Sequence, residues 1–150
     1  MCYFGYLLRG TGNHHYFRTD QPRINMSLRN LLLLDAAGAF VSVLMLGLVL
    51  PYFQEFFGIP LSALKLLVIP PVFFLIYDLV VWSRIKSNYG PWLQGIAMAN
   101  LGYCAFSLVV AYQHAEVISI WGKGYIVAEI LIVALLAIWE LRVVRLKTNR

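Results

Sequence analysis

Charge is scarce in this sequence. Only 13% of its 150 residues are Asp, Glu, Lys or Arg, whereas a soluble domain carries about a quarter. No long polar stretch is present that could coat an apolar core. Cysteine is scarcer still. Cys2 lies near the N-terminus and Cys104 inside an apolar block, with no CxxC pair, so no disulfide framework and no thiolate metal site is expected. The adjacent His14 and His15 lack further ligands, and two histidines alone do not make a metal centre. No cofactor is called for. Strand-like alternation over ~10-residue segments is also missing, which excludes a β-barrel.

What is present is apolar sequence in blocks of about twenty residues, the length that crosses a ~30 Å hydrocarbon layer at 1.5 Å per residue. Four such blocks are expected as helical spans, at residues 31–50, 61–82, 92–112 and 121–141. In lipid the backbone must be satisfied within each segment, so helices are the only remaining choice. The first block is too long, and too far from the start, for a secretory signal peptide. The expected class is an all-α membrane protein, a four-transmembrane-helix bundle. Residues 1–29 form a polar, poorly ordered N-terminal segment, 30–142 the membrane domain and 143–150 a basic tail. Met26, directly ahead of Ser27, Leu28, Arg29 and the first block, reads as an alternative start.

The basic residues orient the bundle. Arg9, Arg18, Arg23 and Arg29 precede the first block, Arg84 and Lys86 join the second to the third, and Arg142, Arg145, Lys147 and Arg150 follow the fourth. The other two connections hold only Glu55, Glu116 and Lys123, with Lys65 at the start of the second block. Lys and Arg accumulate in cytoplasmic loops, so both termini and the middle connection are expected in the cytoplasm. The net charge of +5 then reads as topology and contact with anionic lipid, with no nucleic-acid partner. Trp82, Tyr89 and Trp92 flank the inner boundary, and Tyr52, Tyr112 and Trp121 the outer one, as interfacial aromatics do.

The chain also resembles itself. Asp35 and Ser42 in the first block match Asn100 and Ser107 in the third, each pair seven apart. Tyr77-Asp78-Leu79 closes the second block as Trp139-Glu140-Leu141 closes the fourth. Each half would be a helical hairpin that enters from and returns to the same side, a parallel repeat about an axis along the membrane normal.

Polar groups inside these spans carry the functional argument, because an acid at membrane depth costs a few kcal/mol unless it faces the interior. Asp35, Asp78 and Glu140 fall within about a turn and a half of the inner boundary; Asn100 lies ~12 Å in and Glu129 ~18 Å in. At 100° per residue Asp35 shares a face with Gly38, Ala39 and Ser42, and Glu129 with Glu140. One polar seam, deepening from the cytoplasmic side to the middle, is the expected arrangement. Asp35, Asp78 and Glu140 lie near enough to the boundary to reach water or to pair with Arg29, Arg84 and Arg142. Glu129, neutral if buried there, could exchange a proton or pair with Asn100. Pro70 and Pro71 interrupt the backbone hydrogen bonding of the second span. Gly95, Ala99 and Gly102, with Gly38 and Ser42 on the first span, suit close helix contact within the bundle or across a dimer.

The Leu-Asp, Tyr-Asp and Ala-Asn-Leu signatures at Asp35, Asp78 and Asn100 resemble those of small, uncharacterised four-span bacterial membrane proteins, over 30–141. The resemblance implies a multi-pass protein of the bacterial inner membrane and brings no activity with it. Small multidrug transporters share the size, but theirs is a glutamate in the first helix. Two roles follow from the residues: an accessory or structural subunit docked on itself or on a partner membrane protein, and a proton- or cation-coupled transporter or channel working as a dimer. An enzyme is not expected, since Ser42 and Ser107 have no evident base and His114 sits at the outer rim.

Overall fold

The computed structural model describes residues 28–148. Met26, the two adjacent histidines, Cys2 and the polar segment before residue 28 lie outside the described residues. Within them the chain forms helices joined by short connections, with no strand: α1 Leu28–Tyr52, α2 Gln54–Phe57, α3 Leu61–Arg84, α4 Gly90–Gln113 and α5 Ile120–Thr148. The apolar blocks thus become helices with bounds a few residues wider than expected. Residues 143–148, read as part of a separate tail, continue α5. Three helices, α1, α3 and α4, are long and apolar enough to cross a membrane.

The helices pair as two antiparallel hairpins. In the first, Asp35 of α1 lies against Asp78 of α3, and Gly47 against Val68. In the second, Tyr103 meets Glu129, Cys104 meets Ile130, and Gly90 meets Val144. Buried positions recur at three- and four-residue spacing, as in Leu93, Ile96, Ala97, Asn100, Tyr103, Cys104 and Ser107 of α4, the period that puts one face of a helix inward. The outward faces are apolar as well. Phe73, Leu108, Ile132 and Leu135 are all more than half exposed. A helix in water would carry polar residues there.

Two apolar clusters close the bundle at its ends. Leu31, Leu32, Val81, Leu93, Ile96 and Val144 pack beside the α3–α4 connection. Leu50, Ile59, Leu64, Val110, Ile118 and Ile126 pack toward the opposite end. At that end a clasp joins the hairpins. Ser119 caps α5 by accepting the Gly122 N–H at 3.1 Å, and its hydroxyl also lies 2.8 Å from the carbonyl oxygens of Phe56 and Phe57. Gly58 ends α2 in the left-handed conformation (φ 66°), and a Cβ there would lie 2.6 Å from the Val117 carbonyl. Gly122 packs directly on the Phe57 carbonyl.

Pro70 and Pro71 lie within an α3 that runs through both, from Leu61 to Arg84. The departure from regular geometry is on the neighbouring helix, where Met45–Val49 forms a π-helical turn inside α1. Such turns widen the helix by one residue and re-aim the side chains around them. Met45 and Pro71 both border the cavity described next.

Candidate intramembrane carboxyl site

A carboxyl group brought into a dry interior needs hydrogen bonds or protons, because leaving it ionised and unpartnered costs several kcal/mol. The bundle gathers four carboxyls around its centre. Asp35 projects from α1, Asp78 from α3, and Glu129 and Glu140 from α5. Asn100, on α4, donates from Nδ2 to both oxygens of Asp35, at 2.9 and 3.1 Å. Asp78 lies against both Asp35 and Glu140.

The expectation that Asp35, Asp78 and Glu140 reach water or surface arginines is corrected here. Asp78 and Glu140 are 0% exposed and Asp35 only 4%. Neither oxygen of Asp78 or Glu140 has a hydrogen-bond partner among the described residues. Arg29, one of the expected partners, lies over the Trp82 ring, 4.5 Å from its centroid. Each carboxyl leaves its helix on the inward stripe, and depth along the helix does not overcome that direction. Asp78 lies beside Asp35 in the same buried cluster, with no hydrogen bond from a described residue to either of its oxygens.

The seam continues into a cavity of about 530 Å³ between the two hairpins. Asp35, Asn100, Ser42, Tyr103 and Glu129 all border it. Tyr103 donates its hydroxyl to Glu129 at 3.2 Å, and the hydroxyls of Ser42 and Tyr125 also face that carboxyl. The expected Glu129–Asn100 pair is therefore not formed: Asn100 is committed to Asp35, and Glu129 is held by hydroxyls. Both nonetheless border one cavity. Beyond Tyr103 and Tyr125 the apolar cluster around Leu64 and Ile126 fills the interior. The polar seam reaches the middle of the bundle and stops.

Asp35 and Asn100, which match in the self-similarity of the sequence, are the pair that bond. Asp78 and Glu140, the other corresponding pair, lie buried side by side. Glu129 breaks the correspondence. It stands eleven residues before Glu140, and the residue eleven before Asp78 is Leu67, which belongs to the apolar core.

The small residues are placed differently from the packing role expected of them within the bundle. Gly95, Ala99 and Gly102 lie on the exposed face of α4. A Cβ at Gly102 would meet nothing within 4 Å, and one at Gly95 only the Tyr77 hydroxyl at 3.5 Å. Gly38, Ala39 and Ser42 share their face with Asp35 as expected, and that face borders the cavity. Sequence reasoning missed Tyr103 and Tyr125 as partners of Glu129. The spacing held a signal, since Tyr125 stands one turn before Glu129 and Tyr103 one turn after Asn100.

No group of His, Cys, Asp and Glu among the described residues has the geometry to hold a metal ion. The described residues thus form an all-helical structure with span-like helices and a buried seam of carboxyl groups. Comparison with protein families, with curated proteins and with solved structures finds no match.

Proposed function

We propose that this protein is a small, multi-pass membrane protein that couples to protons or cations through its central carboxyls, a transporter-type role. The observation that carries the reading is that Asp35 with Asn100, and Glu129 with Tyr103, face one interior cavity at two depths. Carboxyls that must hold protons to be buried are the groups that can release them when a cation arrives. The apolar plug beyond Tyr125 argues against an open pore and for a site reached from one side at a time.

In this reading α5 is a fourth span. It has 29 residues, about 43 Å of helix, and its apolar stretch starts after Lys123. Arg84, Lys86, Arg142 and Arg145 then mark the cytoplasmic side, as do both termini, and the protein belongs to a bacterial inner membrane, in keeping with its resemblance to small four-span bacterial proteins. A second reading, an accessory subunit that docks on a copy of itself or on another membrane protein, is favoured by the exposed Gly95, Ala99 and Gly102 face. Neither reading assigns an enzymatic reaction or a cofactor.

The test is proton flux in proteoliposomes, read by an internal pH dye under an imposed potential. Wild type should move protons, and Glu129→Gln should abolish the flux while its unfolding midpoint stays close to that of wild type. Absence of flux from folded wild type in both directions of the potential would overturn the coupling role.

A further inference from the structure

The cavity has an apolar mouth. Leu34 and Val41 on α1 and Ile132 on α5 border it and are themselves exposed on the side of the bundle, Val41 at 53% and Ile132 at 68%. Gly38 stands between Leu34 and Val41 along that edge, and a Cβ there would meet only Leu136, at 3.9 Å. The opening therefore faces the hydrocarbon of the bilayer rather than either aqueous phase. At about 530 Å³ the cavity has the size that accommodates a drug-sized molecule. Asp35 and Glu129 line it, and Phe74, Tyr103 and Tyr125 add aromatic faces. Among the described residues no Lys or Arg side chain lines it.

We infer that this cavity is a binding site for a hydrophobic amine in its protonated form, which enters sideways from the bilayer between α1 and α5. The inference rests on the coupled-transport reading and names the ligand class of the same site. Each part of the site selects for one part of such a molecule. The apolar mouth passes a hydrocarbon or aryl body and excludes hydrated ions, which would have to shed their water among Leu34, Val41 and Ile132. The ammonium finds acceptors in the two carboxyls. Asp35 keeps lone pairs that Asn100 does not use, and the Glu129 carboxyl has about four acceptor positions for the three hydroxyls around it. The aromatic rings stabilise the cation through their faces. An anionic amphiphile would meet only acceptors and be repelled.

The position eleven residues before Asp78 is Leu67, in the apolar core, whereas the position eleven before Glu140 is Glu129, so among the described residues the deep carboxyl lies on the side of the α1–α5 opening. Two carboxyls on one cavity also give the arriving cation and the departing proton separate positions in the same space. That arrangement is what exchange of one for the other requires.

The test is equilibrium binding to the full-length protein in zwitterionic-lipid nanodiscs, with tritiated 4-phenylbutylammonium as probe and 4-phenylbutanol as its uncharged counterpart of similar shape. Binding in excess of empty nanodiscs should saturate at one per chain, with the alcohol about tenfold weaker or worse. Glu129→Gln should lower the affinity for the ammonium by about tenfold and leave that for the alcohol unchanged. Gly38→Phe, which puts a ring into the mouth and leaves Glu129 in place, should remove both and keeps the inference testable if the glutamate variant unfolds. Equal binding of ammonium and alcohol, or ammonium binding that survives both substitutions, would overturn it. Flux without ammonium binding would leave the coupling role standing and remove this ligand class. Binding without flux would leave the site standing and remove the coupling.

Discussion

Asn100→Asp should destabilise the protein, and adding Asp35→Asn to it should restore most of the loss. Asn100 donates two hydrogen bonds to Asp35, at 2.9 and 3.1 Å, across the contact between α1 and α4. Interhelical hydrogen bonds inside membrane bundles contribute ~0.6 kcal/mol on average and up to ~1.7. Loss of the pair alone would therefore be modest. In the single variant, however, position 100 becomes a carboxyl set against Asp35, beside the unpartnered Asp78 and Glu140. A further buried acid with no donor raises the cost to ~2–4 kcal/mol. Asp35→Asn alone keeps an amide opposite an amide and should cost ~1 kcal/mol or less. The exchanged double variant puts the donor on α1 and the acceptor on α4, with the count of acids unchanged, and should lie within ~1 kcal/mol of wild type. The assay is a double-mutant cycle by SDS titration in mixed micelles, followed by tryptophan fluorescence. If the double variant loses as much as the two singles together, Asp35 and Asn100 are not coupled, and the central pair falls with the reasoning built on it.

The clasp between the hairpins makes a sharper steric prediction. Gly122→Ala puts a methyl group onto the Phe57 carbonyl and the Ile118 side chain, and should cost ~1–3 kcal/mol in the same titration, whereas Gly124→Ala, where nothing lies within 4 Å, should be neutral or slightly stabilising. On the α4 face, Gly102→Leu should leave the unfolding of the isolated chain within ~0.5 kcal/mol of wild type. If the same change also leaves crosslinking in native membranes untouched, the accessory reading loses its docking face.

The helical class was legible from composition and block length, because residues that avoid water in runs of about twenty have few other ways to satisfy their backbone. Polar exceptions within those runs were legible for the same reason: Asp35, Asp78, Asn100 and Glu140 stand out against apolar neighbours, and all four are buried at the centre. Helix ends were less so, since residues 143–150, with Arg145 and Lys147, read as a tail while nothing in those side chains prevents α5 from continuing to Thr148.

Which side chain meets which was not in the sequence. Spacing places Asn100, Glu129 and Asp35 on particular faces of their own helices. The rotation of each helix against its neighbours, set by packing along its full length, decides that Asn100 bonds Asp35 and Tyr103 bonds Glu129. The same rotation turns Gly95, Ala99 and Gly102 outward, although their small size suited a buried contact equally well. The cavity is the clearest case of a tertiary property. It exists because two hairpins, each tightly packed within itself, meet loosely between α1 and α5, and no single helix carries information about a gap between two others.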